Sequence, residues 1–127
     1  MKAVVVMAAL FVSTAAAQAQ YTKVAASGKQ IHLGFYGSAN PDCSSAGDPT
    51  VRVTQAPEHG RVNTPAVRDF PTFAQSNIRS VCNTRRLAGR AARYVSQRGF
   101  VGTDQVVLEV FYTSGSMRRY HYMINVR

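Results

Sequence analysis

Negative charge is what this sequence has least of. Six Asp and Glu residues stand against 15 Lys and Arg, a balance of +9. The six, Asp42, Asp48, Glu58, Asp69, Asp104 and Glu109, are scattered. Calcium needs several clustered oxygen ligands, and no DxDxDG loop is present, so no calcium site is expected. Glu58 with Asp69, or Asp104 with Glu109, are the carboxylate pairs on offer for glycoside cleavage. Any small domain supplies such pairs by chance.

Histidine is equally thin: His32, His59 and His121, with no HxH or HExxH spacing. His121 and Met123 share a strand face and have the donor types of a copper site. An outward His beside a gap-filling Met is the plainer reading. His59 belongs to a Pro-x-His-Gly turn. GxSxG is absent, which removes the common serine-hydrolase arrangement. No catalytic residue, metal or cofactor is expected.

Only two cysteines occur, Cys43 and Cys82. They are far apart and form no CxxC, so a redox or metal pair is disfavoured. A structural disulfide is expected, and with it an oxidising compartment. A free-thiol nucleophile would contradict that pairing.

There is one long apolar run. Lys2 followed by Val4 to Val12 has the form of an export signal, too short to span a bilayer comfortably. Ala17-Gln18-Ala19 fits a small-x-small cleavage site. The expected division is therefore a signal peptide at 1–19 and a single mature domain at 20–127, periplasmic or secreted. Loss of the leader takes only Lys2, leaving 14 basic against 6 acidic residues, or +8. No later stretch is apolar enough to cross a membrane.

Helical periodicity, internal repeats and low-complexity tracts are missing too. What is present is alternation. Val106, Leu108, Val110 and Tyr112 fall on one strand face, and Tyr120, Tyr122, Ile124 and Val126 on the face of a returning strand. Ser114-Gly115-Ser116 turns the chain between them. Ile31, Leu33 and Phe35 share a face of an earlier strand, and Val51 and Val53 mark another. Gly37 to Pro49 reads as a loop pinned by Cys43. Arg61 and Val62 start a strand. Pro65 and Pro71 point to an edge or a loop over Pro65 to Gln75. Ile78 to Thr84 is expected to be extended, carrying Cys82 inward. Arg85 to Arg90 should turn the chain, and Ala92 to Val95 form a strand. Short strands separated by turn signals predict an all-β, antiparallel sandwich of about seven strands with one disulfide.

Tyr94-x4-Gly99-Phe100-x-Gly102-x-Asp104, followed by the alternating run, resembles the GFxGxD signature of bacterial immunoglobulin-like and cadherin-like domains. Pro57-x-His59-Gly60-x-Val62 resembles the strand start that precedes it there. The resemblance covers the chain from Pro57 onward. It implies an immunoglobulin-like sandwich outside the cytoplasm and no catalytic residue, because the signature is a turn and a strand. Cys82 and the arginines that follow it depart from the simpler connection usual between the two motifs. Asp104 is expected to accept hydrogen bonds from backbone amides of the Gly99 to Thr103 turn.

The basic excess is the one feature with functional content. It favours an anionic polysaccharide, a lipid headgroup or an acidic protein as partner. Nucleic acid is disfavoured by export and by the lack of any RNP, helix-turn-helix or zinc-finger pattern. Arg79, Arg93 and Arg98 belong to the wider basic group. Arg85, Arg86, Arg90, Arg118 and Arg119 are the candidate contacts, arginine being suited to bidentate contact with phosphate or carboxylate. A solvated set of surface charges is the alternative. The expected function is a non-enzymatic binding or accessory module. The alternatives are an assembly subunit pairing through a sheet edge, or a small enzyme inhibitor.

Overall fold

The computed structural model describes residues 2–12 and 18–127, and the side chains from Gln20 within the first strand. Eight strands are present among the described residues: β1 (Gln18–Ala25), β2 (Gln30–Tyr36), β3 (Thr50–Gln55), β4 (Gly60–Asn63), β5 (Ala66–Asp69), β6 (Leu87–Ser96), β7 (Gly102–Phe111) and β8 (Met117–Val126). An isolated bridge joins Ala39 to Ser45. One sheet has the order β1-β8-β7-β3; the other has β2-β6-β4, with β5 also on β6. The all-β, two-sheet expectation holds, with one strand more than the seven expected.

The β7–β8 alternation is realised residue by residue. Val106, Leu108, Val110, Tyr120, Tyr122, Ile124 and Val126 are buried between the sheets. Their in-register pairing runs from Gly102 opposite Val126 to Phe111 opposite Met117. Each of the larger side chains contributes roughly 2 kcal/mol by leaving water. Tyr94 and Ala92 of β6 and Leu33 and Tyr36 of β2 complete this core.

Four expectations are corrected. The sandwich is not wholly antiparallel: β1 runs parallel to β8 along its whole length, Gln18 opposite Arg119 to Ala25 opposite Val126. Phe35 does not continue the inward face of Ile31 and Leu33. A bulge between His32 and Gly34 shifts the register, and an extra residue in a strand swaps its faces, so Tyr36 enters the core instead.

The third correction concerns Ile78–Thr84, which is a 3-10 helix. Asn77 caps it by accepting a hydrogen bond from the Arg79 amide, and Cys82 is buried within it. Local capping thus overrides the extended reading. Finally, Arg85 to Arg90 is not a turn, because β6 already begins at Leu87 and runs through Gly89. A Cβ at Gly89 would lie 2.4 Å from the Tyr36 carbonyl oxygen and 2.7 Å from the Phe35 ring. Glycine keeps the strand going here by letting β2 approach.

The disulfide joins Cys43 to Cys82, 39 positions apart in sequence, with Cα atoms 5.4 Å apart. Closing a loop of that size stabilises by about 4 kcal/mol in the chain-entropy picture. Residues 2–12 adopt no regular structure and are exposed, Val4, Leu10 and Phe11 among them. Of the expected cleavage tripeptide, Ala17 lies outside the described residues, and Gln18 and Ala19 belong to β1. No helix among the described residues is long and apolar enough to cross a membrane.

Candidate functional site: a basic cleft floored by tyrosines

The motif residues gather at one end of the sandwich. Asp104 is buried, and its carboxylate accepts hydrogen bonds from the amides of Glu58 (3.0 Å), His59 (3.1 Å) and Gln105 (3.0 Å). The Tyr94 hydroxyl donates a fourth at 2.8 Å. The acceptor role is as expected; the donors are not. They come from the Pro57-x-His59 turn, from Tyr94 of β6 and from Gln105 of β7 itself, not from the Gly99 to Thr103 turn. His59 stacks on Phe100 with ring centres 4.1 Å apart. At Gly60 a Cβ would lie 2.5 Å from the Val95 carbonyl oxygen and 2.7 Å from the Tyr94 ring. The buried carboxylate has all its donors within the chain, and among the described residues no buried side-chain nitrogen or oxygen lacks a partner.

The other end is open. A cleft of about 770 Å³ lies between the β7–β8 turn, the loop from Gly37 to Pro49 and the segment leading to the 3-10 helix. Tyr112 and Tyr120 line it, with Tyr36 beneath the loop. The Tyr36 and Tyr120 rings are 4.9 Å apart. The Tyr112 and Tyr120 hydroxyls share a hydrogen bond at 3.0 Å, and those of Tyr36 and Tyr122 share another. Tyr21 of β1 stacks against Tyr120 and Tyr122 at 6.1 and 5.4 Å.

Burial raises the Tyr36 and Tyr112 hydroxyls well above the ordinary tyrosine range, each helped by its tyrosine neighbour. Burial likewise pushes Tyr122 up to about 12, against its hydrogen bond to Tyr36, which lowers it. These phenols remain neutral donors and acceptors at any physiological pH.

Arg79 and Arg118 bring charge to the cleft. Arg79 Nε donates to the Ala39 carbonyl at 2.7 Å, which fixes the base of its guanidinium on the loop. The Arg118 guanidinium lies 6.0 Å from the Tyr120 ring centre. Among the described residues no carboxylate lines this cleft. The walls are held by Thr113, which donates to the Ala46 carbonyl at 2.8 Å, and by the disulfide. Asn40, Asn77, Ser38 and Ser114 add neutral polar groups around the two cations. Such a lining offers donors for charge-assisted hydrogen bonds.

The five arginines singled out from the sequence are dispersed by the fold. Arg118 is in the cleft. Arg119 faces the other side of its sheet and is paired with Glu109 at 2.9 Å. Arg90 donates to the Thr64 carbonyl at 3.2 Å. Arg86 lies 5.3 Å from the centre of the Phe70 ring, and Arg85 closes the 3-10 helix. Arg79, from the wider group, is the partner of Arg118, and no spacing in the sequence marks that pair.

His121 meets Gln105 at 2.9 Å on the outer face. No group of three or more His, Cys, Asp or Glu residues that could hold a metal occurs among the described residues. Compared with known proteins, the chain matches no family model, no curated protein and no solved structure.

Proposed function

We propose that this protein is an exported, non-enzymatic binding module of immunoglobulin-like type that takes an anionic group into its basic cleft. The observation that carries the reading is the cleft itself: Arg79 and Arg118 face one concavity whose described lining has no carboxylate to neutralise them. Export is supported by the disulfide and by an apolar run at Val4 to Val12 that takes no part in the core.

The immunoglobulin-like type is supported by the strand order. β1-β8-β7-β3 over β2-β6-β4 reads as A′-G-F-C over B-E-D, with the last strand broken into β4 and β5 around Pro65. The GFxGxD resemblance points the same way.

Retention on immobilised polygalacturonate, measured against a neutral dextran over a salt series, tests the reading. Retention falls with salt, and Arg79→Gln with Arg118→Gln weakens it at least about tenfold through two lost charge-assisted contacts. Arg119→Gln, whose guanidinium is occupied by Glu109, leaves it unchanged. Retention indifferent to salt and to the cleft arginines ends the proposal. Pairing through a sheet edge stands second. Val53 is exposed on the outermost strand β3, but a bulge after it and the cation of Arg52 blunt that edge.

A further inference from the structure

The 3-10 helix Ile78–Thr84 carries a feature the cleft does not use. Residues three apart eclipse one another in such a turn, so Ile78, Val81 and Thr84 share one side. That side faces water: Ile78 is 70% exposed and Val81 66%. The opposite side is anchored by Cys82, fully buried and bonded to Cys43. Asn83 exchanges two hydrogen bonds with the Phe73 backbone, at 2.8 and 2.9 Å. Two aliphatic side chains are therefore presented on a stapled mount.

Their surroundings are cationic. Arg79, Arg85 and Arg86 flank them in sequence, and Arg86 covers a half-exposed Phe70. No Asp or Glu occurs between Asp69 and Asp104. Asp69 itself is turned to the Phe70 amide at 2.7 Å, and Asp42, beside Cys43, to Ser44.

We infer that this helix docks the protein on an anionic lipid surface, with Ile78 and Val81 entering the headgroup layer and the arginines meeting phosphate. This deepens the reading of an anionic partner by naming the surface; it rests on Ile78, Val81, Arg85 and Arg86, which lie outside the cleft, and shares only Arg79 with it. A bilayer accepts small apolar tips without a shaped recess, and basic residues beside such tips strengthen the attachment. A stable protein interface asks for roughly 800 Å² per partner, far more than two aliphatic side chains supply. Each arginine held near an anionic leaflet strengthens partition by roughly fivefold, converted from the usual energy per charge.

Sedimentation with vesicles of phosphatidylcholine, with and without phosphatidylglycerol, is the experiment. The mature protein should pellet with the anionic vesicles at low salt and stay free of the neutral ones. Ile78→Ser with Val81→Ser, both at exposed positions and so neutral to folding, should weaken pelleting several-fold. The chain has no tryptophan, so Val81→Trp gives a unique reporter whose emission should shift to the blue on anionic vesicles only. Undiminished pelleting of the double serine variant, or Val81→Trp emission unmoved by vesicles, overturns docking through this helix. Arg118→Gln separates the two proposals: loss of polygalacturonate retention with vesicle binding intact supports docking as an independent activity. Loss of both together in a folded Arg118→Gln variant would place the lipid contact in the cleft and overturn the helix.

Discussion

The two ends of this sandwich solve opposite problems, and β7 runs from one to the other. At the Asp104 end a single buried carboxylate satisfies three amides and a phenol, and the His59 and Phe100 rings stack beside that turn. At the Tyr112 end the strands stop short of closure. There a disulfide, a tethered loop and paired phenols hold apart the walls of a basic cleft. The first end commits its buried carboxylate to three backbone amides and a phenol. The second leaves two guanidinium groups facing a concavity with no acid to quench them. A chain with few acidic residues has placed its most fully bonded one where it holds the fold, and has kept acids away from the cleft.

The contrast can be broken from either side. The largest effect belongs to Asp104→Ala. It strands four donors and should cost on the order of 5 kcal/mol in urea unfolding, with no change in any response to calcium. A loss below about 1 kcal/mol would mean that water replaces the carboxylate and that this end is not closed.

Next comes Cys43→Ser with Cys82→Ser, at about 4 kcal/mol. Hydrogen exchange sharpens that result. Amides of the Gly37 to Pro49 loop and of the 3-10 helix should exchange faster, while those of Glu58 and His59 stay protected. Uniform acceleration would make the two ends one cooperative unit.

Smaller still is Tyr112→Phe, about 1 kcal/mol for one lost hydrogen bond. Alkaline titration checks the same cluster together with Tyr94 at the Asp104 end. Tyr36, Tyr94, Tyr112 and Tyr122 hold their protons more tightly folded than unfolded. Their contribution is therefore complete below pH about 10, the ordinary tyrosine value, and is lost as pH rises toward and past about 12. Phenolate absorbance should lag in the folded protein and catch up only on unfolding. The smallest effect on stability, within about 0.5 kcal/mol, is expected of Arg79→Gln with Arg118→Gln, the pair with the largest expected effect on binding.

The closed end was more legible in the sequence than the open one, and the reason is physical. Val106 to Tyr112 and Tyr120 to Val126 alternate over whole strands, so their faces follow from period alone. Gly60, Tyr94, Gly102 and Asp104 stand out as the types a tight turn and a buried acceptor need. The parallel partner of β1 could not be read, because nothing local in Gln18 to Ala25 encodes a strand near position 120. The shift of Phe35 and Tyr36 came from a bulge, which composition does not announce. Arg79 and Arg118 come to line one cleft only through loop, helix and disulfide together. Tyr112, Tyr120 and Tyr122 read as core and strand-face residues, which they are, but their hydroxyls pair only in three dimensions.

The parallel seam between β1 and β8 has its own consequence for the order in which the chain assembles. The first strand made waits for the last one, since Gln18 to Ala25 find their backbone partners only in Arg119 to Val126. A nascent chain halted before Met117 would hold every strand of the β2-β6-β4 sheet yet leave β1 of the other sheet without its backbone partner. Synthesis and completion therefore run in opposite directions for that sheet. A chain threaded through a pore from its amino end would stay open along this edge until its final ten-residue strand came through.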